Sequence, residues 1–233
     1  MNCSLIFAAL IGCQVPDVAA PDPALAKRIL AATPWMRVAE RSSASAVVVG
    51  RRKDDLYVLT ADHAIDGPDT TVLAFEFFED AEGGKPAKPA FVLEGAVAVI
   101  RRPAADFALL KVAVPADREV AILKLAPPGT HPKRFPFAGI SAGGSRGDPP
   151  SCEDESILGK RLAVRRDEEV AFFWRAEKAQ ARGRSGGPLV DAEGRVIGIA
   201  AATSLGKGYY VHPSEIHAAL KAEHEWLWAG DKK

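Results

Sequence analysis

The sequence has no excess of either charge. Its 233 residues include 30 Lys and Arg and 30 Asp and Glu, so the formal net charge at neutral pH is zero. Proteins that bind nucleic acid or anionic lipid through charge carry a basic surplus, and this balance argues against both classes of partner. We therefore expect the short basic clusters, such as residues 51–53, 101–102 and 165–166, to be solvated surface.

Cysteine is scarce as well, with only Cys3, Cys13 and Cys152 in the chain. Two of the three lie in the first 13 residues, where processing is expected. Cys152 then has no partner for an intramolecular disulfide. It lies in a polar stretch with no neighbouring base, so we expect an incidental exposed thiol in a loop and not a catalytic one.

The N-terminal apolar run, residues 4–12, is too short to span a bilayer. It is typical of an export signal, although no Lys or Arg precedes it. The end of the run, Leu10-Ile11-Gly12-Cys13, resembles the lipobox of bacterial lipoproteins, in which the chain is cut before the cysteine and the cysteine is lipidated. The alternatives are an ordinary secretory signal cut near Ala19-Ala20 and a short buried helix.

On the lipobox interpretation, residues 1–12 are a signal peptide and residues 13–43 are a lipidated tether with a short helix. The protein is then exported to the cell envelope or periplasm. Its only contact with the membrane is the lipid anchor at Cys13.

Short segments rich in Val, Ile, Leu and Phe recur along the chain, bounded by Gly, Pro or Asp. Little helix lies between them, so the pattern predicts an antiparallel all-β protein. Four prolines and one glycine in residues 127–136 interrupt the series and predict a linker. We assign an N-terminal β unit to residues 44–126, the linker to 127–133, a C-terminal β unit with a closing helix to 134–222 and a tail to 223–233.

The sequence also predicts some individual strands and helices. Residues 120–126 are predicted as the last strand of the first unit. Residues 188–190 and 196–202 should form a hairpin around a polar turn. Helices are predicted at 24–32 and from Pro213 onward, where proline suits the first helical turn.

Three polar residues lie at predicted strand ends, where their side chains can converge between the two β units: His63, Asp106 and Ser185. A serine hydroxyl is a weak nucleophile unless an imidazole takes its proton. The imidazole in turn needs a carboxylate on its other nitrogen. The order His, Asp, Ser along the chain is the order found in chymotrypsin-type barrels.

The segment around Ser185 has the glycines that an oxyanion site needs. Gly183 permits a sharp backbone turn, so the N–H groups of Gly183 and Ser185 can act as donors. Gly186 and Gly187 leave the approach to the hydroxyl open.

The segments TADHAI, DFALLKV and GRSGGPLVDAEGRVIGI resemble the three active-site blocks of trypsin-like serine proteases, in particular the bacterial HtrA (Deg) type. GKGYYVHPSEI resembles the segment that leads into the final helix of that group, and the resemblance covers residues 44 to about 220. It implies an all-β fold of two six-stranded-type antiparallel β-barrels, with a short helix at each end of the chain and the active site in the cleft between the barrels.

Carried over residue by residue, the resemblance makes His63 the general base, Asp106 the residue that orients it and Ser185 the nucleophile. It also implies that the N–H groups of Gly183 and Ser185 bind the oxyanion, with help from the N–H of Arg184. The family commonly has Asn where Arg184 stands, and we expect the Arg184 side chain to point outward. HtrA-type proteins usually continue into PDZ domains, and none is expected here, because the chain ends soon after the last helix. The sequence itself does not indicate an oligomeric state.

The resemblance also indicates specificity. Ala179, six residues before the nucleophile, would line the base of the S1 pocket. Ala201, Ala202 and Thr203 would form the strand that pairs with substrate. These residues are small and carry no carboxylate, so we predict a small-to-medium apolar P1 residue such as Val, Ala or Leu.

The predicted function is therefore a serine endopeptidase that acts on protein or peptide substrates through an acyl-enzyme, with no cofactor and no metal. The alternative is a latent or non-catalytic member of the same fold that binds peptides as a chaperone does. His212, His217 and His224 lack the spacing of a zinc-protease helix, and we expect them on the surface.

Overall fold

The computed structural model describes residues 22–38, 42–65, 73–78, 89–144, 149–164, 169–221 and 223–229. The predicted signal peptide and the lipidation site at Cys13 lie outside these residues. Across the described ranges no helix is both long and apolar enough to cross a bilayer.

Strands are the main secondary structure of the described chain, with one short helix near its start and two near its end. In chain order the elements are α1 Pro23–Ala31, β1 Trp35–Val38, β2 Ser42–Arg52, β3 Asp55–Thr60, a 3₁₀ turn Asp62–Ile65, β4 Leu73–Phe77, β5 Phe91–Glu94, β6 Val97–Arg102, β7 Phe107–Ala113, β8 Phe137–Gly143, β9 Ser151–Val164, β10 Val170–Ala176, β11 Pro188–Val190, β12 Val196–Ser204, β13 Lys207–Val211, α2 Pro213–Leu220 and α3 Trp226–Ala229.

The strands form two antiparallel sheets, so the all-β prediction is confirmed. The first sheet has seven strands in the order β5-β4-β1-β2-β3-β7-β6. The second is a closed six-stranded barrel in the order β10-β13-β12-β11-β8-β9. We refer to them as the first sheet and the second barrel.

The first sheet has seven strands, one more than the six-stranded-type barrel that we expected. Its first strand, β1, pairs with both β2 and β4 and begins at Trp35, before the expected start of the unit at residue 44. β1 has only four residues, which is too short for its alternation of side chains to be read from the sequence.

Residues 47–49 of β2 show how the two sheets share a core. All three valines are fully buried. Val48 belongs to the apolar cluster inside the first sheet, whereas Val47 and Val49 belong to a cluster shared with Val190 and Ile199 of the second barrel. Successive side chains of a strand face opposite sides, so an uninterrupted apolar run marks a strand that is covered on both faces.

Residues 120–126 do not form the predicted strand. Leu123 donates its N–H to Val48 O, and Leu125 makes only an isolated bridge to Val196. Both leucines are buried, because the segment runs between the first sheet and the second barrel. Its apolar composition therefore reflects burial and not pairing within one sheet.

The hairpin of β11 and β12 and the helices α1 and α2 confirm three further predictions. α3 lies in residues 223–233, which we assigned to a tail.

We expected the three C-terminal histidines on the surface, but two of them are buried. His212 is 1% exposed and caps α2, with its Nδ1 accepting the N–H of Ser214. Burial lowers the pKa of His212 to about 3. His224 is buried too, and its ring packs against Tyr57. These side chains therefore serve to attach the C-terminal segment to the rest of the fold.

Candidate active site

His63 and Asp106 are brought together by two neighbouring strands. His63 lies in the 3₁₀ turn that follows β3, and Asp106 immediately precedes β7. β3 and β7 pair in antiparallel register with Thr60 opposite Ala108. The end of one strand therefore adjoins the start of the other, which brings together two residues 43 positions apart in the sequence.

The imidazole and the carboxylate make a close pair. His63 Nδ1 is 2.8 Å from Asp106 Oδ2 and 3.0 Å from Oδ1, and the backbone N–H of His63 donates to Oδ1 at 2.9 Å. The Asp106 side chain is 2% exposed and that of His63 is 30% exposed. This arrangement fixes the ring orientation and leaves part of the imidazole accessible.

Asp106 has a backbone φ of +56°. That conformation is uncommon for a residue with a side chain and persists only where the surroundings enforce it. The hydrogen bonds to His63 are part of that enforcement.

An ion pair that the sequence does not indicate involves Asp62, the residue before His63. Arg101 Nε and Nη2 are 2.6 and 3.0 Å from the two carboxylate oxygens of Asp62, whose side chain is 2% exposed. The pair ties the turn that carries His63 to β6. The sequence contains several arginines near this point, and only the fold selects Arg101 as the partner.

Ser185 lies on a glycine-rich turn that contacts the first sheet. Gly183 and Gly186 have φ values of +88° and +84°, which favour glycine. A Cβ at Gly186 would collide with Ser45 O and Thr60 Oγ1. Because Thr60 ends the strand before His63, the turn of Ser185 is packed against the segment that carries the imidazole.

The N–H groups of this turn differ in their partners. The N–H of Arg184 is directed to Ala181 O at 3.4 Å, which corrects our expectation that it would help to bind an oxyanion. Within the described ranges the N–H groups of Gly183 and Ser185 donate to no acceptor. These two donors remain available to a ligand.

The Ser185 hydroxyl makes no hydrogen bond to the imidazole within the part of the chain that the structure describes. In ligand-free enzymes such bonds often tighten only in the complex with substrate.

The Arg184 side chain does not point outward, which corrects a second expectation. The residue is 4% exposed, and its guanidinium donates to oxygens of β8 and β9. Further inside the barrel, Glu155 Oε1 accepts hydrogen bonds from Tyr210 at 2.6 Å and Ser141 at 3.1 Å. Burial raises the pKa of Glu155.

The position of Glu155 also corrects our interpretation of residues 149–156 as a polar loop. These residues include the start of β9, where Glu153 and Glu155 lie on one face. Cys152 is half-buried in the same strand, and burial raises the pKa of its thiol to about 11. A thiol with so high a pKa is not an activated nucleophile.

The predicted substrate-binding residues lie on two adjoining segments. Ala201, Ala202 and Thr203 belong to β12, and Ala179 is an exposed residue after β10. Gln180 connects the two segments, because its N–H donates to Thr203 Oγ1 at 3.2 Å and its side chain donates to Tyr209 O at 3.1 Å. In the described residues no group of three or more His, Cys, Asp or Glu could hold a metal ion.

Comparisons with known proteins identify a family and a fold. Residues 44–199 match the family model described as "Trypsin-like peptidase domain". A comparison with curated proteins finds no match.

Among solved structures, the fold is similar to that of Deg5, with a TM-score of 0.65 and 19% identity over 88% of this chain and 95% of that one. It is also similar to an inactive form of the protease Rv3671c from M. tuberculosis, with a TM-score of 0.64 and 21% identity over 88% and 97% of the two chains. The protease domain of MamO from Magnetospirillum magneticum has a TM-score of 0.62 and 19% identity over 82% and 96%.

Proposed function

The chain belongs to the trypsin-like peptidase domain family, and on that premise we propose that it is a serine endopeptidase that cleaves protein substrates through an acyl-enzyme. The observation that carries the proposal is the pairing of His63 with Asp106, where Nδ1 lies 2.8 Å from a buried carboxylate oxygen. The glycine-rich turn of Ser185 packs against the same segment.

In the proposed reaction Ser185 Oγ attacks the scissile carbonyl carbon while His63 accepts its proton. Asp106 stabilises the imidazolium that forms and keeps Nδ1 protonated. The N–H groups of Gly183 and Ser185 bind the oxyanion. The imidazolium then protonates the leaving amine, and water hydrolyses the acyl-enzyme by the same route.

Labelling with a fluorophosphonate probe tests this proposal. We expect the wild type to be labelled and both Ser185→Ala and His63→Ala to lose the label, since each removes part of the activated nucleophile. Cys152→Ala is the matched control and should be labelled at the wild-type rate. A folded wild type that is not labelled would contradict the proposal and favour the alternative, a latent or non-catalytic peptide-binding protein.

For specificity we propose a small-to-medium apolar P1 residue. Gln180 links the two segments that would flank P1 through its hydrogen bond to Thr203 Oγ1, and Gln180 Cγ lies 3.0 Å from where a Cβ at Gly208 would be. The residues that would face P1 are small and carry no carboxylate. Matched peptides with Ala, Val, Leu, Phe or Lys at P1 test this. The highest kcat/KM should belong to Val, Ala or Leu, and a preference for Lys would refute the proposal.

We also propose that the protein is exported and lipid-anchored at Cys13, on the evidence of the apolar run and the Leu-Ile-Gly-Cys segment. Metabolic labelling with palmitate in a bacterial host tests it. Cys13→Ala should abolish the label, whereas Cys3→Ala should keep it. An unlabelled wild type would favour an ordinary secretory signal.

A further inference from the structure

Arg184, the residue before the candidate nucleophile, is anchored inside the second barrel. Its guanidinium is almost fully buried and donates to six oxygens, all on β8 or β9. The acceptors are Ser141 O, Ser141 Oγ, Gly143 O, Ser151 O, Ser151 Oγ and Glu153 Oε1, at 3.0 to 3.3 Å. Arginine suits this position because its planar fork presents several donors in fixed directions.

The peptide unit between Gly183 and Arg184 is held at both ends. Ser45 Oγ donates to Gly183 O at 2.8 Å, and the N–H of Arg184 is directed to Ala181 O. Ser45 Oγ also accepts the N–H of Gly144 at 3.0 Å. Ser45 belongs to the first sheet, so this peptide unit is fixed from across the cleft.

The peptide unit between Ser185 and Gly186 is held in the same way. The N–H of Ser45 donates to Ser185 O at 2.8 Å, and the N–H of Gly186 donates to Ala200 O at 2.7 Å. Rotation of either peptide unit would break two hydrogen bonds. The peptide unit that carries the Ser185 N–H is held as well, because the N–H of Gly187 donates to Arg184 O at 2.9 Å. The N–H of Ser185, which donates to no acceptor within the described ranges, therefore keeps a fixed direction.

We propose that Arg184 is a positioning residue: together with Ser45 it holds residues 183–186 in the conformation that binds the oxyanion, before any substrate or activator is present. The inference rests on the proposed peptidase function. It implies that the enzyme is constitutively competent, because the turn is fixed by groups of the chain itself.

The test compares Arg184→Met with Arg182→Met, a matched control in which the arginine is exposed. For Arg184→Met we expect kcat for a peptide substrate to fall about 100-fold, as when an oxyanion donor is lost, with KM changed by less than about threefold. Arg182→Met should keep kcat within about twofold. Arg184→Lys, which keeps the charge but not the fork, should recover part of the loss.

Two inhibitors distinguish a loss of positioning of residues 183–186 from general damage to the active site. Ser185 Oγ adds to the carbonyl carbon of a peptide aldehyde, and the resulting oxyanion needs the two N–H donors. The corresponding peptide alcohol binds without this addition. Arg184→Met should weaken binding of the aldehyde by about the same factor as it lowers kcat, and it should leave the affinity for the alcohol unchanged. A folded variant with kcat within threefold of the wild type, or with equal losses for both inhibitors, would overturn the inference.

Two further measurements cover the remaining outcomes. If Arg184→Met fails to fold, Ser45→Ala removes the bond to Gly183 O from the other side and should lower kcat about tenfold; an unchanged kcat would overturn the inference. If the wild type neither cleaves peptides nor reacts with the probe, the proposed function has failed. The positioning is then measured by amide exchange of Gly186, which should be protected in the wild type and become faster in Ser45→Ala.

Discussion

The first sheet and the second barrel hold their candidate catalytic residues in different ways. His63 and Asp106 come from neighbouring strands of the first sheet and bind each other directly. Ser185 lies on a turn of the second barrel, but two of the peptide units around it are fixed by Ser45 of the first sheet. The imidazole and carboxylate are thus paired by one sheet alone, whereas the nucleophile is placed only when the two units pack together.

We expect the largest loss of stability and activity from a substitution at Gly186, where the turn of Ser185 packs against the first sheet. Gly186→Ala should lower the free energy of unfolding by about 3 kcal/mol or more and abolish activity, because the new Cβ would collide with Ser45 O and force the units apart. The measurement is urea unfolding together with peptide hydrolysis. Gly129→Ala is the control, since Gly129 also has a positive φ but nothing within 4 Å. Equal losses at both glycines would show that the close approach is unimportant.

A smaller effect is expected at the ion pair of the first sheet. Arg101→Met leaves the buried Asp62 carboxylate without this bidentate partner, so the free energy of unfolding should fall by about 1–3 kcal/mol. Because Asp62 adjoins His63, kcat should fall between about 10- and 100-fold. Arg102→Met, at the neighbouring exposed arginine, should change stability by less than about 0.5 kcal/mol. Identical behaviour of the two variants would contradict a role for the pair.

At acid pH, protonation of His212 should lower the free energy of unfolding. Its pKa is about 3 in the folded protein, below the ordinary value of 6.5, so the unfolded chain binds the extra proton first. The contribution of His212 to stability is therefore full above pH 6.5 and is lost as the pH falls toward 3, by up to about 1.4 kcal/mol per pH unit.

His212→Asn keeps a side chain that can cap α2 but does not titrate. Urea unfolding between pH 7 and 4.5 should therefore show a shallower pH dependence for the variant than for the wild type. Parallel curves would exclude His212 as the source of acid sensitivity.

We expect the smallest change in stability from substitutions in two hairpin turns, one in the second barrel and one in the first sheet. Leu205, between β12 and β13, is 96% exposed with φ +48° and is followed by Gly206 at +71°. Asn is preferred to Leu in such a turn, so Leu205→Asn should raise the free energy of unfolding by about 0.5–1 kcal/mol. Lys53→Asn, in the turn of the first sheet with φ +55°, should give a similar gain. A loss of stability at both turns would contradict the argument from backbone conformation.

Much of the fold could be predicted from local patterns. Short segments rich in Val, Ile, Leu and Phe, bounded by turn residues, identified most strands and the hairpin of β11 and β12. The pattern failed at residues 120–126, since burial between two sheets gives the same apolar composition as strand pairing. It also missed β1, whose four residues are too few to show a period.

The candidate site, like the fold, could be predicted from the sequence only in part. The spacing of glycines and the order of His63, Asp106 and Ser185 were sufficient to propose the chemistry. The burial of Arg184 was not predictable, because its acceptors come from two strands of the second barrel that the sequence does not mark as its neighbours.

The all-β class, the three polar residues and the glycines that the turn requires could therefore be read from the sequence, since they depend on residue type and on neighbours close in the chain. Long-range contacts could not, such as the hydrogen bond from Ser45 to the carbonyl of Gly183, 138 residues away, and the direction of the Arg184 guanidinium into the barrel. Such contacts are set by how the first sheet packs on the second barrel, and that packing depends on the shape and hydrogen-bonding groups of both surfaces at once.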